Sequence, residues 1–462
     1  MGVFRTLSNN IKNDMASGNV TAAIYGVGRI GLPIAAVWLN AGARVIGVDI
    51  NDVTVARLNK GDIPFDDEPM IREIIKQGLK DFKFYATVDG VEASKKSDVK
   101  IIMIPTTLNL EKKLDNDNLI NVLKTIGKGL KKGDVVIIEC TVPPLTTEYL
   151  AKPILENESG LVAERDFGLS FSPERVSEGT AVKDIEENYP KVVGGIGPLS
   201  VETVASLYDC IAKKGTIRMQ HSRDAETSKI FEGIYRDVNI ALANELAIAC
   251  TTLGIDFIEA RKAANSQPYC HLHMPGIGVG GICIPIYPYF MMALADKSNI
   301  KTPIIRLSRK INEDMPYYTY LLIKKALIKA GIKPKKAKVG ILGLTFRGNI
   351  NDTRKSPSID LITILKNKVS AVKAYDPLVL FMDGIDTCGK NELMAWADVL
   401  VFATDHDEFK NLDLCKYSKK IIIIDGRNIL DPNTLPENTL YIGIGRPFKN
   451  TKHFLKKDHG DV

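Results

Sequence analysis

The apolar run Thr21–Tyr25 leads directly into Gly26-Val27-Gly28-Arg29-Ile30-Gly31, and a stretch of helical spacing follows. A strand, a glycine turn and a helix in that order leave few folds open, because such a unit buries its faces as the first βα step of a parallel sheet. Gly26 permits the tight turn, Gly28 lets a pyrophosphate approach the backbone, and Gly31 lets helix and strand pack closely. The unpaired N–H groups at the helix N-terminus then face phosphate. A second apolar run, Arg44–Val48, ends in Asp49, about 20 residues past the glycines, where a carboxylate suits a ribose 2′-hydroxyl. That charge repels a 2′-phosphate, so the expected cofactor is NAD rather than NADP. Its expected contacts are Gly26, Val27, Gly28, Arg29, Ile30, Gly31 and Asp49.

The strand–helix rhythm continues through Lys100–Ile104, Val135–Glu139, Gly168–Ser172 and Lys191–Gly194. It then changes. Ala225–Leu253 has no proline and one interior glycine, and its spacing predicts a single helix of about 29 residues. A second helical stretch is expected from about Ile304 to Lys329. Strands resume at Val339–Leu342, Ala371–Tyr375, Val399–Ala403 and Lys420–Asp425. The first 19 residues or so read as a turn or short helix. The expected fold is α/β, with two Rossmann-like doubly wound parallel-sheet domains joined by a helical central domain that contains one long helix. The expected boundaries are 1–220 for an NAD-binding domain, 221–330 for the helical part and 331–462 for the second Rossmann-like domain. The long helix carries more apolar surface than one small domain would cover, which points to a homodimer.

A net charge of +6 over 462 residues, with no basic stripe interleaved with aromatics, points away from nucleic acid. The isoleucine run Ile421–Ile424 is too short to span a bilayer and reads as a buried strand, so no membrane association is expected. The seven cysteines are odd in number, form no C-x-x-C pair, and follow no signal-peptide pattern. Free thiols in a reducing cytoplasm are expected. Cys270, His271 and His273 stand together without a second ligand cluster, so no metal site is expected.

One thiol stands apart. Gly278-Val279-Gly280-Gly281-Ile282-Cys283 sets a cysteine directly after three glycines in four residues, where backbone crowds against a ligand that any Cβ would strike. Cys283 is the candidate nucleophile; the alternative is a small buried hydrophobe.

Taken together, these features resemble the UDP-glucose/GDP-mannose dehydrogenase family over nearly the whole chain. The resemblance is carried by Gly26–Gly31 with Asp49, Cys140-Thr141-Val142-Pro143-Pro144, Ser172-Pro173-Glu174-Arg175, Ala225-Glu226-Thr227-Ser228-Lys229 and Asn244-Glu245. It continues through the Cys283 loop, Asn351–Pro357, Tyr375-Asp376-Pro377 and Asp425-Gly426-Arg427. Within the family, Arg236–Ala241 and Ser172–Val176 are most similar to UDP-N-acetylmannosamine dehydrogenases. The resemblance implies NAD-dependent, four-electron oxidation of the C6 alcohol of a UDP-linked 2-acetamido sugar to the uronate, through a cysteine thiohemiacetal and thioester. It implies Cys283 as nucleophile, Lys229 beside the C6 oxygen, and Glu174 and Thr141 around the reacting carbon and a water. Thr106 and Thr141 join the implied cofactor site. Glu174, Arg175, Lys229, Arg236, Asn239, Gly280, Arg347 and Arg354 form the implied substrate site, with UDP in the C-terminal domain and Arg354 at the neighbouring subunit of a dimer.

Two positions depart from the family pattern. Gly233 stands where the family usually has asparagine, four residues after Lys229. Tyr287 stands where it usually has aspartate, four residues after Cys283. Tyrosine is a poor base near neutral pH, and Asp237 is one candidate for compensation. UDP-N-acetylglucosamine and UDP-glucose remain alternative substrates. A two-electron hydroxy-acid dehydrogenase and a non-catalytic NAD or nucleotide-sugar-binding regulator are the alternatives from other classes.

Overall fold

A computed structural model of the chain describes residues 2–6, 8–63, 69–109, 112–176, 179–416 and 420–450. The chain forms two compact units, 1–232 with 289–298, and 233–288 with 299–462. The N-terminal unit opens on helix α1 (Ser8–Ala16), which buries Ile11 and Met15. Its sheet has eight strands: β1 (Thr21–Tyr25), β2 (Arg44–Val48), β3 (Phe84–Thr87), β4 (Val99–Ile102), β5 (Val135–Ile138), β6 (Gly168–Phe171), β7 (Lys191–Gly195) and β8 (Thr216–Met219). They lie in the order β8-β7-β6-β5-β4-β1-β2-β3. The order reverses between β1 and β4, the switch point at which doubly wound sheets open a crevice at their carboxyl edge. Alternate residues of β1 feed different cores: Ala22 and Ile24 enter one face, Ala23 and Tyr25 the other. Burial on both faces explains why the central strands read as unbroken apolar runs. The pairing is parallel except between β6 and β7, where Phe171 faces Gly194 and Ser170 faces Gly195.

The long helix α3, introduced after α2 (Gly31–Asn40), spans Ser222–Leu253, 32 residues, starting one turn before the expected Ala225. The boundary between the two units falls within it, between Glu232 and Gly233. Helix α4 (Tyr287–Lys297) follows the Cys283 loop, and α5 (Pro303–Lys329) matches the second expected helical stretch. The sheet of the C-terminal unit comprises β9 (Lys338–Leu342), β10 (Ala371–Tyr375), β11 (Val399–Phe402), β12 (Ile421–Asp425), β13 (Thr439–Gly443) and β14 (Arg446–Asn450). Its order, β10-β9-β11-β12-β13-β14, is again doubly wound, with one antiparallel pair at the β14 edge. Strands β3, β8, β13 and β14 have no counterpart in the sequence pattern. Three of these four are sheet edges, where partial solvation breaks the apolar run; β8, for instance, exposes Ile217 and Arg218.

The β1–α2 turn separates the work of its three glycines. Gly26 has φ +99°, and a Cβ on it would lie 2.3 Å from the Met103 carbonyl oxygen. A Cβ on Gly31 would lie 1.8 Å from the Gly26 oxygen. Both are therefore demanded by the chain's own packing. A Cβ on Gly28 would meet nothing within 4 Å, so the protein itself gives no reason for glycine there. Gly31→Ala should destabilise the N-terminal unit by about 3 kcal/mol, whereas Gly28→Ala should melt close to the unmodified protein and lose dinucleotide affinity. Thermal melts of ligand-free protein, with NAD titrations, check both; equal melting losses for the two variants would contradict this division.

Candidate active site

In the N-terminal unit the candidate groups gather at the carboxyl ends of the strands. Past β2, Asp49 accepts the Val27 N–H at 3.3 Å and the Asn51 N–H at 3.0 Å. Its carboxylate is thereby fixed beside the glycine turn, which also carries the half-buried Arg29 and Ile30. Past β5, Thr141 is buried and its carbonyl accepts the Thr106 hydroxyl at 2.6 Å. The following Leu145–Thr147 turn is held by Glu226 of α3, which accepts the Leu145 and Thr147 N–H groups and the Thr147 hydroxyl at 2.6–2.8 Å. Burial pushes the Glu226 carboxyl up to about 7, and these donors pull it back toward the charged form.

One turn further along α3, the Lys229 ammonium donates to the backbone carbonyl of Glu174. The Glu174 carboxylate accepts its neighbour's N–H, from Arg175, at 2.7 Å and the ammonium of Lys191 at 2.6 Å. Arg175 itself is engaged by the Pro190 carbonyl and by Glu232 at 3.5 Å. The structure thus brings Lys229, Glu174 and Arg175 together and ties Thr106 to Thr141. Lys191, Glu139 and Glu226 are buried behind these groups. For Glu139 the signal in the sequence is a charge closing an apolar run, Val135-Val136-Ile137-Ile138-Glu139.

The C-terminal unit holds the cysteine loop. Gly278 and Gly281 have φ +141° and +85°. A Cβ on Gly280 would lie 2.5 Å from Phe346 Cβ and 2.7 Å from the Lys355 carbonyl oxygen. The Gly281 N–H donates to the Arg354 carbonyl at 2.9 Å. The loop is therefore clamped backbone to backbone on the 346–357 segment, and Cys283 emerges from it exposed. Cys140, by contrast, is buried, which pushes its thiol up to about 12. Cys283 also sets the first turn of α4, since its carbonyl accepts the Ile286 and Tyr287 N–H groups at 3.1 and 3.0 Å.

The two departures from the family pattern are one feature. A Cβ on Gly233 would lie 2.6 Å from Tyr287 Cδ2, so the Tyr287 ring rests on the backbone of α3. Asp237, the candidate for compensation, is engaged within its own unit. It is fully buried and committed to Arg309 at 2.5 Å and Asn312 at 2.8 Å, and Asn312 in turn takes the Asn244 amide at 2.9 Å. Arg236 and Arg347 are exposed, and the Asn239 side chain accepts the His273 N–H at 3.1 Å. Arg354 grips Asp352 through Nε at 2.9 and 3.0 Å. In the second sheet Asp376 occupies the place that Asp49 has in the first, accepting the N–H of the residue after the strand's glycine, Leu344, at 2.7 Å. There it is buried under His406 and Thr345, which fixes the turn that presents Arg347.

Models of three domains match in register with this architecture: the UDP-glucose/GDP-mannose dehydrogenase family's NAD binding domain over residues 20–212, its central domain over 223–314 and its UDP binding domain over 340–432. The chain belongs to the UDP-glucose/GDP-mannose dehydrogenase family. It is 38% identical over 428 residues to the UDP-N-acetyl-D-mannosamine dehydrogenase of Pyrococcus horikoshii, covering 92% of this chain and 99% of that one. A solved structure of UDP-D-ManNAc dehydrogenase from Pyrococcus horikoshii superposes with a TM-score of 0.85 at 36% identity, over 92% and 99% of the two chains. A solved NDP-N-acetyl-D-galactosaminuronic acid dehydrogenase from Methanosarcina mazei does so with a TM-score of 0.82 at 30% identity, over 95% and 98%.

NAD is thus the cofactor, and the open space over Gly28 beside the fixed Asp49 carboxylate fits it. The Tyr287 ring is seated against Gly233. Gly233→Asn gains helix propensity but drives a side chain into the ring, and should cost about 1–3 kcal/mol. Tyr287→Asp should also destabilise, by emptying the seat. The double variant should lose less than the sum, by about 0.5 kcal/mol or more. Denaturant melts of all four proteins measure the cycle, and strict additivity would contradict the contact.

Proposed function

We propose that the protein oxidises the C6 alcohol of UDP-N-acetyl-D-mannosamine to the uronate, using two NAD per sugar. The observation that carries this reading is the coverage of 99% of a UDP-N-acetyl-D-mannosamine dehydrogenase at 38% identity, with the Cys283 loop, Lys229, Glu174 and Thr141 all in place. The match of 340–432 to a UDP binding domain favours it over a hydroxy-acid dehydrogenase.

NAD supplies the acceptor for the two hydrides lost from C6. The remaining chemistry belongs to side chains. Lys229 stabilises the negative charge that develops on the C6 oxygen, as an oxyanion donor does. Cys283 adds to the aldehyde carbonyl and retains the carbon covalently, first as a thiohemiacetal and then as a thioester. Glu174 directs the water that opens the thioester, with Thr141 at the end of the neighbouring strand. Arg175, Arg236, Asn239 and Gly280 contribute to sugar binding, and Arg347 and Arg354 to the UDP and the subunit boundary. Tyr287 is no substitute for a carboxylate base, which leaves water activation to Glu174.

The working form is proposed to be a cytoplasmic homodimer serving polysaccharide biosynthesis. Along α3, Phe231, Tyr235, Leu242, Leu246 and Leu253 are all exposed, and their spacing places them on one stripe of the helix. The described cysteines are free thiols, as a reducing compartment would keep them.

The test is product stoichiometry across a panel of UDP-sugars. UDP-N-acetyl-D-mannosamine should give two NADH per sugar with no trappable aldehyde, and Cys283→Ser should lower turnover by orders of magnitude. One NADH per sugar, with Cys283→Ala fully active, would refute the covalent route.

A further inference from the structure

The proposed hydrolysis ends with a water proton on Glu174 and uses neither of the two ionisable side chains buried behind it. Glu139 follows β5 and is 1% exposed; Lys191 opens β7 and is 5% exposed. The sheet explains how they meet Glu174. Because β7 runs antiparallel to β6, its first residue lies at the end where β6 leaves the sheet, beside the end of β5. Lys191 Nζ is 2.6 Å from Glu174 Oε2 and 3.1 Å from Glu139 Oε2, so both carboxyls share one ammonium. The ammonium also stands 5.0 Å from the ring centroid of Tyr208.

One ammonium enclosed with two carboxyls balances a single negative charge, so the group is neutral only when one carboxyl carries a proton. Glu174 also accepts the Arg175 N–H at 2.7 Å. Glu139 is the more deeply enclosed of the two. Burial pushes it up to about 7, with Lys191 opposing and Glu174 adding to the shift. The other charged or titratable groups around the trio are Cys140 beside Glu139, Lys229 on the Glu174 carbonyl, and Arg175, which is held by Pro190 and Glu232.

We propose that Glu139 is the terminal proton acceptor for thioester hydrolysis, reached through Glu174, and that Lys191 is the positioning residue that holds both carboxyls on its ammonium. This rests on the role given to Glu174 above. Water oxygen bonds to the acyl carbon as Glu174 takes one water proton and passes it to Glu139. The C–S bond then breaks, sulfur leaves as thiolate, and the product carboxyl gives its proton to solvent. Glu139 returns its proton to the thiolate or to solvent, which resets the pair. No electrons change hands in this half of the reaction. Glu139 must be ionised to accept, so turnover rises with pH through about 7.

The test compares unmodified enzyme, Glu139→Gln, and Lys191→Arg with Lys191→Met. Infrared titration of the ligand-free protein should show a buried carboxyl band that disappears as pH rises through neutrality and is missing in Glu139→Gln. With UDP-N-acetyl-D-mannosamine, the first NADH should form at the unmodified rate in Glu139→Gln. Its steady turnover should fall roughly tenfold and lose the limb near pH 7, and thioester should accumulate. Lys191→Met should lower kcat with KM for the UDP-sugar unchanged, and Lys191→Arg should restore part of the loss. An unchanged infrared band or an unchanged pH profile in Glu139→Gln overturns the relay. Absence of NADH from every UDP-sugar overturns the proposed function instead, while the infrared band still decides whether Glu139 holds the proton.

Discussion

Both sheets are sealed on both faces by helices, and this burial dictates where chemistry is possible. The side chains of β1, β5 and β11 point into one core or the other, where an isolated charge is too costly to keep. Polar function is pushed to the carboxyl ends of the strands, where the backbone turns outward and N–H groups are unpaired. Asp49 follows β2, Glu139 and Thr141 follow β5, Glu174 follows β6, and Asp376 follows β10. The exception proves costly enough to need a full set of partners: Lys100 lies inside β4 and is satisfied by Asp134 and by the Ser97 carbonyl at 2.7 Å.

The two sheets use the same device for different ends. In each, the residue after a strand's closing glycine donates its N–H to an aspartate at the end of the next strand. In the N-terminal unit that aspartate keeps a face toward solvent and Gly28 has room above it. In the C-terminal unit His406, Thr345 and four backbone donors enclose it, so the carboxylate is structural and the turn it braces carries the arginine. One topology thus supplies a cofactor cradle in one place and a rigid loop in the other.

Much of this was readable in the chain. The strands Thr21–Tyr25 and Arg44–Val48 coincide with their apolar runs, because central parallel strands must be apolar throughout. The edge strands β3, β8 and β14 were not readable, since partial solvation breaks their apolar runs. Among site residues, Lys229, Glu174 and the glycine loop carry local signatures. The contact between Tyr287 and Gly233 does not, because it joins positions far apart in the chain through the absence of a side chain. Asp237 shows the converse: its helical spacing from Lys229 suggested a share in the site, yet only packing reveals that Arg309 and Asn312 both bond its Oδ1. Lys191 was hidden for a related reason, as its meeting with Glu139 and Glu174 depends on one antiparallel pair in an otherwise parallel sheet.

The covalent role of Cys283 is the centre of this account, and intact-protein mass spectrometry of acid-quenched turnover mixtures tests it most directly. With Glu174→Gln, NAD and UDP-N-acetyl-D-mannosamine, the account predicts an added mass equal to the acylated UDP-sugar, mapped by peptide digestion to Cys283. Formation of the uronate with no adduct on Cys283 at any quench time, in this variant or in the unmodified enzyme, would contradict it.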